Sequence, residues 1–455
     1  MITVLAFLVT LGVLIVVHEY GHYRVAVACG VKVLRFSIGF GRVLWRRQAS
    51  PEHTEFVLSV LPLGGYVRML DEREGPVAPQ ELHRAFNRKP LWQRSAIVVA
   101  GPLANLLLAV LLYAASHWIG IEEPKALLAK PIANGLAERA GMRSGDWVRA
   151  WIDEDGQSQE IRALSDLHWQ LTQHAIQGKP LSLSVTDARG QAQRQVVLPL
   201  EQLEGHEVDA ATMKRIGIGS PYSEPVLGEV KAGGPAAAAG LRSGDRVLRV
   251  DEVVVPDAYV LRELISAAVD GRNGRAMHWR IERQGQVMDV TLTPRVVGEG
   301  DRRSGRVDIV PGQPLQMVTV RLGFVEGLQR GAVRTWEVSA LSLRMLGRML
   351  IGQASVRNLS GPLTIADYAG QSVERGLAFY LGFLALVSVS LGVLNLLPLP
   401  MLDGGHLMYY LFEGLTGRPV SDLWLARLQR GGIAVLLAMM SIALFNDVAR
   451  LLGLH

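Results

Sequence analysis

A single cysteine, Cys29, stands among 455 residues. That excludes a disulfide-stapled chain and any zinc site within it that is built on two or more cysteines. Concentrated charge is missing too. The net charge of +5 is spread over the whole length, a far weaker field than a clustered basic patch, so the pI near 9.4 does not imply a nucleic-acid partner. No Lys or Arg precedes Arg24, which removes the basic n-region of a secretory leader; Ala26-Val27-Ala28-Cys29, faintly like a cleavage site, is read as part of a retained segment. What is present is apolar residue, 49% of the chain, with a mean hydropathy of +0.21. A chain this long and apolar is neither disordered nor one small domain, and its apolar residues must be unevenly distributed.

Charge is absent altogether from four stretches. Met1 to Val17 is uncharged and continues through His18–Tyr23 to Arg24; 95–121 is uncharged between Arg94 and Glu122, 376–402 between Arg375 and Asp403, and 431–446 between Arg430 and Asp447. A bilayer core requires roughly 20 apolar residues as helix. Spans are therefore expected at 1–23, 95–121 and 376–402, and a fourth at 431–452 if the last run extends toward Leu452. Soluble helices are rarely apolar all round for this length. Arg24, Lys32, Arg35, Arg42, Arg46 and Arg47 follow the first run, and Arg84, Arg88, Lys89 and Arg94 crowd the second; Arg418, Arg427 and Arg430 separate the last two. By the positive-inside bias, connections 24–94 and 403–430 are cytoplasmic, while both termini and 122–375 lie on the outer side.

The central segment contains a repeat. Ala140-Gly141-Met142-Arg143-Ser144-Gly145-Asp146-Trp147-Val148 recurs as Ala239-Gly240-Leu241-Arg242-Ser243-Gly244-Asp245-Arg246-Val247. So wide an offset means two copies of a whole domain, not a solenoid. Each copy reads as a short helix closed by Gly, a tight turn at Ser-Gly-Asp and an alternating strand. The signature resembles the PDZ domains of bacterial envelope proteases, which implies copies at 122–220 and 221–311 that either add a peptide strand to a sheet edge or act as steric gates. In the following segment, 312–375, Leu343, Leu346 and Leu350 share a helical face distinct from that of Arg344 and Arg348, which suits a helix at Trp336–Ile351 lying in the membrane interface or packed on the spans.

His18-Glu19-Tyr20-Gly21-His22 is an H-E-x-x-H sequence. On a helix the two histidines lie one turn apart on one face and can hold one zinc, with the adjacent Glu placed as general base toward a water. Ionisable residues inside a membrane span are costly and demand a partner, which a divalent metal supplies. A catalytic zinc needs a third protein ligand. The third span ends Asn395-Leu396-Leu397-Pro398-Leu399-Pro400-Met401-Leu402-Asp403-Gly404-Gly405, where the two prolines must break the helix and leave Asp403 on irregular backbone lining an enclosed cavity. The first and third spans run in the same direction, so His22 and Asp403 fall at the same cytoplasmic-side depth. His406 is a rival ligand, but a helix resuming after Gly405 would carry it away.

The H-E-Y-G-H sequence, Gly101-Pro102-Leu103-Ala104-Asn105 in the second span, N-L-L-P-L-P-M-L-D-G-G in the third and the tandem insertion together resemble the site-2 protease family over nearly the whole chain. The resemblance implies a multi-pass α-helical membrane protein with four transmembrane helices, a membrane-associated β-hairpin within 24–94 and two tandem periplasmic PDZ domains, in a bacterial inner membrane. It implies zinc on His18, His22 and Asp403, Glu19 as general base, and Asn395 as a substrate-binding or oxyanion-stabilising group. Pro398, Pro400, Gly64 and Gly65 are expected along the substrate path, with Asn105 in a secondary role. The hairpin strands correspond to Val31–Leu44 and Phe56–Leu70, with Gly39, Gly41, Gly64 and Gly65 at the turns. The implied partners are the lipid bilayer and a single-span substrate, an anti-sigma factor already shortened on its outer side or a signal-peptide remnant, with peptide ligands at the PDZ copies and no nucleic acid. The competing class is a non-catalytic PDZ scaffold with a structural metal, which has no use for Glu19. A metal transporter would require more polar residues in the second and fourth runs.

Overall fold

The computed structural model describes residues 2–50, 52–203, 210–298, 303–351 and 361–451. The expected end of the fourth span at Leu452, and parts of the segments 122–220, 221–311 and 312–375, lie outside the described residues. The chain divides into two compact units, Met1–Ile121 with Arg321–His455, and Glu122–Val320.

The first unit is built on helices whose apolar residues run all round. Among the described residues four are long and apolar enough to cross a membrane: α1 (Ile2–Ala28), α2 (Leu91–Ile119), a third at Leu377–Asn395 and a fourth across Leu423–Val448. Helix α2 starts at Leu91, ahead of the uncharged run, because the charge on Arg94 does not stop a helix. Its guanidinium binds Glu413 through two of its nitrogens, at 2.6 and 3.1 Å. Between α1 and α2 lie strands β1 (Val33–Arg47) and β2 (Glu55–Met69). The first half of β1 is held between the two halves of β2: Phe36 pairs with Val67 and Phe56, and Ile38 with Gly65 and Leu58.

Gly39 and Gly41, at φ of 88° and 87°, give β1 the left-handed backbone it needs to bend around Phe40. Gly64 and Gly65, expected at turns, instead lie inside β2. They are glycines for want of space. A Cβ on Gly65 would come within 2.9 Å of the Glu19 Cγ, and one on Gly64 within 2.8 Å of the Phe40 ring.

After the second unit the chain forms α3 (Phe324–Leu350), α4 (Pro362–Glu374), α5 (Leu377–Asn395), α6 (Asp403–Thr416) and α7 (Asp422–Leu451). Helix α3 begins well ahead of the expected Trp336. Gly327 abuts Trp118 and Gly331 abuts Val110 and Ala114, while Thr335 and Val338 are buried. Small residues one turn apart let α3 approach α2 closely, as helices do in lipid, so this half packs on the spans. Helix α4 starts without a local cap. Asp447 of α7 supplies one, accepting from the amides of Gly361, Leu363 and Thr364 at 3.0, 2.9 and 3.1 Å and from the Thr364 hydroxyl.

Beside several two-stranded ribbons the second unit holds two larger sheets, each with its own core and helix. In one, Leu127–Leu128, Asp146–Ile152, Leu181–Thr186 and Arg194–Leu198 pair in that order, and Leu164–Gln177 covers them through Leu167 and Leu171. In the other, the order is Val253–Val254, Arg246–Val250, Met277–Arg283, Gln286–Leu292, and Ala258–Ala267 packs Leu261 toward Trp279 and Ile281. The repeated turns do the same work in both. Gly145 and Gly244 have φ of 85° and 90°, and the Asp that follows each accepts the amide of Arg143 at 2.7 Å or Arg242 at 2.8 Å. Each carboxylate also meets an arginine from another strand of its sheet, Arg194 for Asp146 and Arg283 for Asp245. The two sheets are tied by the fully buried Asp257, which caps its own helix at the Val260 amide and accepts from the Lys130 amide, 2.8 Å away, and the Ser144 hydroxyl.

Candidate metal centre

Helix α1 places His18 and His22 one turn apart, both buried. Their ring nitrogens face the carboxylate of Asp403. His18 Nε2 lies 3.2 Å from one Asp403 oxygen, His22 Nε2 lies 3.6 Å from the other, and the two Nε2 atoms are 3.2 Å apart. A tetrahedral zinc with bonds of about 2.0–2.1 Å requires its ligand atoms about 3.3 Å from one another. The three side chains therefore present one face of such a tetrahedron and leave the fourth corner free. Among the described residues they form a group whose ligand atoms all lie within 4.8 Å of one another. His22 is set for this role by its other nitrogen. Nδ1 sits 2.8 Å from the carbonyl of Ile97, which can only accept, so Nδ1 carries the proton and the Nε2 lone pair faces the site.

The close approach of α1 and α2 makes this possible. A Cβ on Gly21 would meet Ala104 Cβ at 2.8 Å, and the His22 ring fills the space where Gly101 has no side chain. The two helices pair residue for residue here: Gly101 faces His22, and one turn further along α2 the Asn105 amide lies 3.4 Å from His18 Nδ1.

Asp403 arrives by a different route. Helix α5 stops at Asn395, and Leu396–Leu402 is irregular, as the two prolines dictate. The helix resumes at Asp403 itself, sooner than the sequence suggested, so the carboxylate projects from the first turn of α6 and not from irregular backbone. Gly404 and Gly405 allow the broken segment to fold back on that turn, since a Cβ on Gly405 would come within 2.8 Å of Leu399 and Pro400, and one on Gly404 would meet the carbonyls of Leu396 and Leu397. His406 is carried onto the helix, its ring 6.0 Å from that of Tyr409, and is not among the converging groups.

Glu19 follows His18 on α1 and faces Gly65 on β2. Asn395 is the last residue of α5 and half-buried, Pro398 is exposed, and Pro400 packs against Gly432 of α7. Two contributors were not identified from sequence, the Ile97 carbonyl and the role of Gly101 as the seat of His22, nor was the place of Phe40 beside Gly64 in the hairpin. The Phe40 ring is 45% exposed and stacks on Tyr66 at 6.2 Å. Its signal was available in the glycines on either side of it.

An H-E-x-x-H helix converging with a carboxylate at the break of a second span, among described residues that include four helices fit to cross a bilayer, defines a membrane-embedded metalloprotease. The chain matches peptidase family M50 over residues 6–439 and belongs to that family; it is a zinc metalloendopeptidase of the site-2 type. It is 41% identical, over an alignment of 468 positions that covers all of both chains, to a protein of Ralstonia nicotianae named as a zinc metalloprotease. It is 38% identical over 458 residues to the regulator of sigma E protease of Salmonella typhi and 37% identical over 456 residues to the regulator of sigma-E protease RseP of Escherichia coli strain K12, covering 98% of each chain in both comparisons.

Proposed function

We propose that this protein cuts the transmembrane segment of single-span membrane proteins, with His18, His22 and Asp403 holding zinc and Glu19 as general base. The observation that carries the reading is the convergence of three ligand atoms at the spacing of a tetrahedral metal, beside a carboxylate on the same helix. Zinc bound there supplies a Lewis acid for the scissile carbonyl and makes water acidic enough to lose its proton near neutrality. Glu19 takes that proton and delivers it to the leaving amine. Asn395, at the end of the broken span, holds the substrate backbone. A helical substrate hides its carbonyls in its own hydrogen bonds, so it must unwind. The β2 segment around Gly64 and Gly65, beside Glu19, supplies pairing for the extended chain, and Pro398 and Pro400 line the same path.

The basic connections favour a bacterial inner-membrane protein with both termini and Glu122–Val320 in the periplasm and the metal near the cytoplasmic side. The two repeated sheets are read as tandem PDZ domains that exclude substrates with intact outer domains or receive peptide ends. The names of the Salmonella and Escherichia relatives point to regulation of sigma E; within that setting the substrate is read as an anti-sigma factor, trimmed first on its outer side, in an envelope stress response, with signal-peptide remnants as a second class.

The test is cleavage of a tagged single-span substrate in membranes. Glu19→Gln is expected to retain zinc and lower cleavage by about 10²–10⁴. Asp403→Asn loses both zinc and cleavage, as does chelation. Unchanged cleavage by Glu19→Gln with zinc in place would refute the protease mechanism and favour a scaffold with a structural metal.

A further inference from the structure

We propose that Asn105 is a positioning residue for His18: its side-chain carbonyl accepts the Nδ1 proton and so keeps the His18 Nε2 lone pair on the metal. The inference rests on the reading of His18 as a zinc ligand. Asn105 is fully buried on α2, and its Oδ1 has no hydrogen-bond partner. The other amide atom, Nδ2, lies 3.4 Å from His18 Nδ1. That arrangement makes Nδ1 the acceptor and places the ring proton on Nε2, aimed at Asp403 and His22 where a lone pair is required. Amide oxygen and nitrogen have the same shape and are assigned from their partners. Half a turn about the Cβ–Cγ bond gives Oδ1 its missing donor and sets His18 in the tautomer a ligand needs, with Nδ2 taking the space Oδ1 held.

Two further features support the assignment. His22 is already fixed in this way, with Nδ1 on the Ile97 carbonyl, so an acceptor on α2 serves each histidine. The level of α2 at this point is also secured independently of the amide, because the Asn105 main-chain carbonyl accepts from Ser388 Oγ of α5 at 2.7 Å. Substituting the side chain leaves that bond intact.

The test uses the full-length protein purified in detergent, with zinc affinity measured by competition against a chelator. Asn105→Leu, similar in shape but unable to accept, is expected to bind zinc about 10–100-fold more weakly. Asn105→Asp retains an acceptor and is expected to stay near the wild type. Wild-type affinity in Asn105→Leu, with zinc lost in His18→Ala, overturns the positioning role and leaves the ligand reading standing; equal losses in the Leu and Asp variants overturn it in favour of simple packing. Wild-type affinity in His18→Ala overturns the ligand reading itself and this inference with it. If Asn105→Leu does not insert, Asn105→Ala is compared with Asn105→Asp in its place.

Discussion

Adding one methyl group at Gly101 should disable the metal centre without touching a ligand. A Cβ built there lies 2.6 Å from Cε1 and 2.8 Å from Cδ2 of the His22 ring, and Nε2 is closer still. An ordinary contact begins near 3.4 Å, so the imidazole must retreat by about 0.8 Å at Cε1. Metal–ligand distances are expected to lie within about 0.2 Å of their ideal values. The ring cannot move without stretching its 2.8 Å bond to the Ile97 carbonyl, and moving α1 away from α2 as a whole opens the Gly21 contact with Ala100 and Ala104. Overpacking of this kind costs about 1–3 kcal/mol, and here the least costly relief is to displace His22 from its ligand position. Gly101→Ala is therefore expected to insert and remain folded, to hold zinc at least about 10-fold more weakly, by analogy with disturbed ligand support, and to lose cleavage in proportion. Zinc content of the purified protein, its affinity against a chelator and substrate cleavage in membranes are the three readouts. Full zinc occupancy with wild-type cleavage in Gly101→Ala would mean that the helices separate freely at this level, and the packing argument would fail.

Other consequences can be checked separately. In the second unit, burial alone would raise the Asp245 carboxyl, but hydrogen bonds from Arg283 and from the Arg242 amide hold it below the usual carboxylate range. A lowered carboxylate adds stability above its unfolded value of about 4 and loses it as pH falls through the folded one. Arg283→Ala leaves a buried carboxylate without its partner and should therefore lower the thermal unfolding midpoint at neutral pH, and the difference from wild type should shrink below about pH 4; a gap that widens in acid would contradict the assignment. Removing the carboxylate that caps α4, by Asp447→Ala, should cost about 2 kcal/mol and speed hydrogen exchange at the amides of Gly361, Leu363 and Thr364, while Asp447→Asn does less. Unchanged exchange there would show that α4 is held by its packing alone.

The helices, their apolar character and the pair of histidines were legible in the sequence because each rests on local periodicity. An uninterrupted apolar run and an i, i+4 pair need nothing from the rest of the chain. The repeat was legible for a similar reason: Ser-Gly-Asp makes the same left-handed turn in both copies, and the same Asp receives the same amide. The glycines were misread where sequence offered only composition. Gly39 and Gly41 bend the chain through positive φ, whereas Gly64 and Gly65 are extended and glycine for lack of room beside Phe40 and Glu19. A sequence does not distinguish glycine needed for its backbone from glycine needed for its missing side chain, because the second need belongs to a neighbour far away in the chain. The extent of α3 was hidden similarly, since the contact of Gly331 with Val110 and Ala114 looks in sequence like a break in an amphipathic pattern.

Residue order alone makes this a chain of apolar helices carrying H-E-x-x-H and requires a second span to break just before Asp403. That His18, His22 and Asp403 meet at 3.2–3.6 Å, that Gly101 seats one histidine and Asn105 faces the other, and that Asp403 stands on a resumed helix follow from how the helices pack. The physical reason is range. Helix formation and helix breaking are set by residues within a turn or two of each other, whereas the spacing of ligands from three distant segments is fixed by how closely α1, α2 and the α5–α6 break can pack, which depends on side chains that are absent as much as on those present.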